Sequence, residues 1–149
     1  MMVFLDIVTI VCIGLLVGVE LAVSAFVNPV LWKLEDHAQA SAISLFAVRL
    51  GTSMPFWYGL SLLLLIAEAV MRRQEPNLPL LVIACVIWTV VIVTTVLFLV
   101  PINNRMARLN AGSLPEKARQ EHKKWDTLHR GRVAAICAAL VCFLFGGYR

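Results

Sequence analysis

Four side chains suited to proton transfer and anion binding recur along the polar segment that precedes the last apolar run. His122, Trp125, His129 and Arg132 follow one another at intervals of three, four and three residues. On an α-helix this spacing places all four on one face, within roughly 80° of arc. Histidine titrates near neutral pH and can act as a base, and arginine binds anionic oxygen. The pattern therefore predicts a binding or catalytic site, one wall of which is formed by this face of the helix.

A second set of polar groups, "VPINNR" at residues 100–105, ends the third apolar run. Pro101 has no N–H and frees a carbonyl one turn earlier, so we expect it to kink or end the helix. Asn103 and Asn104 would then bond local backbone groups or a bound molecule. Arg105 would pair near Glu20 or bind an anionic oxygen. An ordinary capping turn followed by an interfacial arginine explains the same residues.

Glu20 lies deep within the first apolar run, with Asn28 eight residues further along the same flank. A charged side chain in a span is costly and usually faces a cavity or a partner. We therefore add Glu20 and Asn28 to the predicted binding residues. Glu68 lies near the end of the second apolar run, and we expect its carboxylate to snorkel toward the headgroups.

The composition predicts an integral membrane protein. The chain has 149 residues, of which 60% are hydrophobic and 15% charged, against about 45–50% and 25% in soluble domains. The net charge of +4 comes from basic residues beside apolar runs, where lipid headgroups rather than nucleic acid are the expected partner. The four cysteines, all inside apolar runs, are interpreted as packing residues.

Four apolar stretches are long enough to cross the roughly 30 Å of hydrocarbon, and each must be a helix to satisfy its own backbone. They are residues 3–31, 42–71, 79–102 and 131–147. Pro115 favours a further, interfacial helix at 115–130 that leads into the last span. The prediction is one all-α domain, 1–149: a four-helix transmembrane bundle with an interfacial helix before the last span.

Lysine and arginine counts predict the orientation. The side that holds the first and third loops has eight, and the opposite side has three, namely Arg72, Arg73 and Arg149. Both termini are therefore predicted outside, and the long loop 103–130 is predicted to be cytoplasmic.

The histidines support a metal site or a haem site less well than they support a catalytic base. Asp126 and His129 form one degenerate D-x-x-H motif, whereas di-iron bundles need carboxylates from several helices and two such motifs. A bis-histidine haem needs two histidines that face each other inside the bundle, and all three here lie in or beside loops. No metal or cofactor is predicted.

"VPINNR" closing the third span and "WDTLHRGR" at 125–132 leading into the fourth resemble the DUF1772 family, which includes the anthrone oxygenases of polyketide pathways. The resemblance implies a four-helix membrane protein and an oxidoreductase that needs no obvious cofactor. A base removes an acidic benzylic proton, and the resulting anion reacts with O₂. The resemblance assigns His129 as base, Arg105 and Arg132 as oxyanion partners, Asn103 and Asn104 as donors, and Trp125 as the stacking surface. Burial cost adds Glu20, which would orient an arginine or the histidine.

Other functions stay open at this point. The same polar residues suit a non-catalytic lipid- or quinone-binding protein, or an accessory subunit of a larger membrane complex. A transporter or channel fits less well, because four spans offer little pore without oligomerisation. The expected partners are the bilayer and an apolar small molecule, and a homo-oligomer or a larger membrane complex stays open. Gly14 and Gly18 form a G-x-x-x-G pair that suits helix packing, either between copies or inside the bundle.

Overall fold

Four long helices make up the described part of the chain, which in the computed structural model comprises residues 2–109 and 115–147. They are α1 (Met2–Leu31), α2 (Asp36–Met71), α3 (Leu78–Met106) and α4 (Glu116–Gly147). All four are long and apolar enough to cross a membrane. Arg149, which enters the charge count above, and residues 110–114 of the long loop lie outside the described residues.

Each helix packs against the one that follows it in the chain, and α4 returns to pack against α1. This is the arrangement of a closed four-helix bundle with short connections at 32–35 and 72–77. Large apolar side chains cover the outside of every helix, for example Phe4, Phe56 and Phe145. Such a surface suits hydrocarbon rather than water, so the predicted all-α transmembrane bundle is confirmed.

Two helices contain a π segment that ends two residues before a proline. In α1 the π segment is Val23–Val27 and precedes Pro29; in α3 it is Thr95–Leu99 and precedes Pro101. A proline ring clashes with the carbonyl one α-turn earlier, and a wider turn relieves that contact. Of the two expectations for Pro101, that it kinks its helix or ends it, the second is wrong, because α3 continues to Met106.

The last helix has no boundary between its polar and apolar halves. The segment predicted as an interfacial helix, 115–130, and the fourth span are parts of one helix, α4. At a rise of about 1.5 Å per residue, a helix of 32 residues is longer than the hydrocarbon is thick. The excess length corresponds to more than ten residues. The polar first turns can therefore stand beyond the hydrocarbon while their inner face still packs on α1 and α3.

A buried ionic cluster closes the end of the bundle opposite the predicted site. Arg72 pairs with Asp6 and with Glu68, at 3.3 Å between Nε and Oε2 in the latter case, and Nη1 donates to the Gly147 carbonyl at 2.8 Å. Thr9 donates to Glu68 at 3.2 Å. The expectation that Glu68 snorkels is wrong, because its side chain is only 1% exposed. Arg72 thus links α1, α2 and α4.

The core of the bundle consists of two apolar clusters with a layer of polar side chains between them. The larger one surrounds Trp88 and contains Leu16 and Ile136, and the smaller one contains Leu31 and Ile102. Between the clusters, α1 contributes the buried Glu20 and α4 contributes the buried His129. The bundle therefore has a buried polar layer at this level, separate from the Arg72 cluster.

Candidate functional site

A cavity of about 180 Å³ lies within this polar layer. All four helices line it, and most of the lining is apolar. For comparison, an apolar cavity of about 150 Å³ can hold benzene. The polar lining residues are Glu20, Tyr58, Thr95, Asn103, Trp125, His129 and Arg132.

The cavity reaches the outer surface of the bundle between α2 and α3. Gly51, Pro55 and Val96 line it and are also exposed. The outer surface there is apolar, with Phe56 and Phe98 exposed nearby. The opening therefore faces the region that lipid occupies around the bundle.

Glu20, His129 and Arg132 form a buried hydrogen-bonded network on one wall. Arg132 Nη2 donates to Glu20 Oε2 at 2.7 Å and lies 2.9 Å from His129 Nδ1. His129 Nδ1 is 3.2 Å from Glu20 Oε2. Glu20 is only 2% exposed, and the Arg132 guanidinium supplies the positive partner that a buried carboxylate requires.

The partners of His129 define which nitrogen can accept a proton. Nε2 lies 3.2 Å from the backbone carbonyl of Glu20, and a carbonyl only accepts, so Nε2 carries the hydrogen. In the neutral ring Nδ1 then holds the lone pair and accepts from Arg132. A proton taken up at Nδ1 would meet the Glu20 carboxylate, which would stabilise the imidazolium.

Stacked rings position the histidines along α4. Trp125 stacks on His129 with ring centroids 4.6 Å apart and planes at 11°, and Trp32 stacks on His122 at 4.6 Å. His122 and His129 are both buried. The predicted one-sided face of α4 therefore turns inward, with His129 and Trp125 at the cavity and His122 at a smaller neighbouring cavity of about 30 Å³.

Asn103 reaches the cavity because α2 has a glycine opposite it. Its Nδ2 donates to the Ala47 carbonyl at 2.9 Å. A Cβ added to Gly51 would lie 2.6 Å from that Nδ2, closer than Cβ atoms approach other atoms. Gly51 thus permits the contact between α2 and α3 that holds the amide at the cavity wall.

Three of the predicted site residues lie elsewhere. Arg105 is 53% exposed and pairs with Glu121 at 2.8 Å, so the structure does not bring it to His129 or Glu20. Asn104 is exposed and lines neither cavity. Asn28 is buried and donates to Asp126 at 2.7 Å, at the smaller cavity rather than at the larger one.

Two cavity residues, Tyr58 and Thr95, are absent from the sequence-based prediction. Tyr58 is buried and lies beneath Arg132, whose Cζ is 5.5 Å from the ring centroid. Tyr58 could have been predicted from its spacing with Gly51 and Pro55, because all three residues fall on one face of α2. No sequence pattern indicates that Thr95 lines the cavity, because the π segment that begins at this residue cannot be recognised from the sequence.

Within residues 2–109 and 115–147 no group of three or more His, Cys, Asp or Glu side chains could hold a metal ion. Asp126, half of the D-x-x-H motif, is bound by Asn28 and by Arg130 at 3.0 Å. The expectation that the reaction needs no cofactor stays a prediction.

Comparison with known proteins gave one family. The model described as anthrone oxygenase matches residues 38–142, which is more than half of the chain and includes α3 together with most of α2 and α4. The comparisons with curated proteins and with solved structures gave no match. With its four membrane-spanning helices the protein is an integral, multi-pass membrane protein, and it belongs to the anthrone oxygenase family.

Proposed function

We propose that the protein is a membrane oxygenase that uses O₂ to oxidise an apolar aromatic substrate with an acidic C–H bond, as in an anthrone. The observation that carries the proposal is the Glu20–His129–Arg132 network on the wall of an otherwise apolar cavity. It combines a base, a carboxylate that can hold the protonated base, and a cation. Trp125, stacked on His129, adds a flat surface for an aromatic ring.

The proposed reaction converts a diaryl CH₂ group and O₂ into a ketone and water. A base removes one proton from the CH₂ carbon, and the negative charge delocalises onto the substrate oxygen. The carbanion carbon bonds to O₂ and, after the proton returns, gives a hydroperoxide. Loss of the remaining C–H proton with cleavage of the O–O bond forms the carbonyl and releases water. The substrate carbon is oxidised and O₂ is reduced, so no external electron donor is required.

In this proposal His129 Nδ1 takes the proton, and Arg132 has two roles in succession. In the resting site the guanidinium covers Nδ1 at 2.9 Å. It must release Nδ1 when the substrate binds, while its contact with Glu20 can remain. The guanidinium then lies beside the substrate oxygen that gains charge, where a fixed cation lowers the barrier most effectively.

A non-catalytic binding protein is the second candidate. The observation that favours it is that both ring nitrogens of His129 already have partners within the protein, as expected of a structural polar cluster. The two candidates differ in whether a bound substrate reacts faster than it does in lipid alone.

The test is O₂ uptake and quinone formation with anthrone, using the protein in lipid nanodiscs and empty nanodiscs as the blank for spontaneous oxidation. The wild type should exceed the blank, and His129→Gln should reduce kcat by about 10²- to 10⁴-fold, the usual contribution of a general base. Glutamine keeps an N–H donor for the Glu20 carbonyl, so folding should be preserved. Saturable binding of anthrone without any rate above the blank would favour the binding protein.

A further inference from the structure

An arginine on the outside of the bundle, Arg49 of α2, is exposed and makes no hydrogen bond or ion pair within the part of the chain that the structure describes. Arg72 and Arg132, which are largely buried, both bind carboxylates. Arg49 cannot do the same on its own helix or on α3, because residues 37–67 and 78–106 contain no Asp or Glu. A partner for its charge must therefore come from outside the protein.

The surface around Arg49 is that of a helix in contact with lipid. Leu45, one turn earlier on the same face of α2, is 72% exposed, and Phe56, two turns later on that face, is 80% exposed. The neighbouring Val48 is exposed as well. Because large apolar side chains lie on both sides of the arginine, acyl chains rather than bulk water contact its stem. An arginine in this setting extends its guanidinium toward the headgroups, since a charge in hydrocarbon is costly.

The position of Arg49 along α2 agrees with the level of the headgroups. From Arg49 to Met71, where α2 ends, the helix rises about 33 Å at about 1.5 Å per residue, close to the hydrocarbon thickness of about 30 Å. Arg49 therefore lies at the boundary of the hydrocarbon. It is the boundary on the side of the long loop, because Asp36 at the start of α2 pairs with Arg119 of that region.

A phosphate is the partner that suits a guanidinium at this depth. Arginine presents paired N–H donors that bind two oxygens of one phosphate. The ester carbonyls of the same lipids lie deeper and carry no charge, so they cannot compensate the guanidinium. The apolar face of α2 that contains Phe56 offers the acyl chains of that lipid a surface below the phosphate.

We propose that Arg49 binds the phosphodiester of a membrane glycerophospholipid in the leaflet on the side of the long loop. Gly51 and Pro55, which line the opening of the cavity, follow Arg49 within about two turns, so the bound headgroup lies just above the level of that opening. The proposal does not depend on the proposed function, because lipid binding is measured without a substrate.

The test uses protein purified in a maltoside detergent, which contains no phosphate, and titrates it with phosphatidylglycerol. Native mass spectrometry gives the lipid concentration at which half of the protein carries its first lipid. Arg49→Gln should weaken this binding by about fivefold or more, as expected for the loss of one basic residue at the headgroups. Digalactosyl diacylglycerol with the same acyl chains has no phosphate, and its binding should be equal in the two proteins.

Arg105→Gln is the matched control. It removes the same charge, but Arg105 already pairs with Glu121, so phosphatidylglycerol binding should stay within about twofold of the wild type. Unchanged phosphatidylglycerol binding in Arg49→Gln, an equal loss for the galactolipid, or an equal loss in Arg105→Gln would overturn the proposal. A lower melting temperature of Arg49→Gln in the detergent alone would also overturn it, because that result would reveal a partner within the protein.

Discussion

At the scale of single residues, the site depends on a carboxylate that has almost no contact with solvent. Glu20 is stable there because Arg132 binds it at 2.7 Å, and Arg132 also contacts His129 and the ring of Tyr58. One planar guanidinium thus serves three partners in different directions. A lysine ammonium is a point charge and cannot reproduce this geometry.

Arg132→Lys should therefore reduce turnover of anthrone by at least tenfold and lower the melting temperature. The lysine can still compensate Glu20, but it cannot also reach Nδ1 of His129 and cover Tyr58. Thermal unfolding and O₂ uptake on the same sample would measure both effects. Wild-type values of both would show that the network contributes neither to stability nor to the reaction.

Arg105→Ala should leave turnover within about twofold of the wild type. Its guanidinium is half exposed and pairs with Glu121 at the surface, and such exposed pairs contribute about 0–1 kcal/mol. A steady-state comparison with Arg132→Lys under identical conditions tests the assignment. If Arg105→Ala were the more damaging change, the site would have to include the end of α3.

At the scale of elements, the π segments of α1 and α3 and the close approach of α2 and α3 determine which side chains reach the cavity. Thr95 is directed inward by the π segment it begins, and Asn103 contacts α2 only because residue 51 is glycine. π-bulges of this kind often occur at functional sites. A change at residue 51 should therefore affect the site through Asn103.

Gly51→Ala should be less stable than Gly59→Ala. Both changes gain roughly 1 kcal/mol of helix propensity, but only the former displaces Asn103 and breaks its bond to Ala47, at a cost of about 0.5–1.5 kcal/mol. A Cβ at Gly59 meets nothing within 4 Å. Thermal unfolding of both variants, each repeated with Asn103→Ala, is the measurement. The difference between them should shrink in that background, and an unchanged difference would contradict the role given to Gly51.

The sequence predicts the face of α4 correctly because helical periodicity depends only on spacing, and His122, Trp125, His129 and Arg132 all keep that register. It does not predict the position of Arg105, because α3 continues past Pro101. The π segment accommodates the proline within the helix, and Arg105 lies at the surface, where it pairs with Glu121. Tyr58 could have been identified only from its spacing with Gly51 and Pro55, and Thr95 could not be identified, because the π turn at Thr95 has no sequence pattern.

At the scale of the whole molecule, two buried polar clusters lie at different levels of one bundle. The cavity network joins α1 to α4, and the Arg72 cluster joins α1, α2 and α4 near the opposite end. Because Arg72 is buried among carboxylates, it does not count as an exposed loop charge, which reduces the positive charge on the side predicted to be outside. The orientation itself stays a prediction.

Arg72→Ala should destabilise the protein strongly, by about 3–5 kcal/mol, because it leaves the Glu68 carboxylate buried without its partner. The neighbouring Arg73→Ala is the matched control, since Arg73 is exposed and its loss should change little. Thermal unfolding in the same lipid compares the two. Equal melting temperatures would show that the cluster is not a stabilising element, whereas a loss in Arg72→Ala alone would show that it is.

The opening at Gly51, Pro55 and Val96 affects how the proposed activity must be assayed. A solute that enters through it is drawn from the acyl chains, so its mole fraction in the membrane, and not its molarity in buffer, sets the degree of saturation. Protein-free vesicles added at a constant total amount of anthrone should slow the reaction in proportion to the extra lipid. A half-saturation constant for this protein would then be a property of the bilayer as much as of the polypeptide.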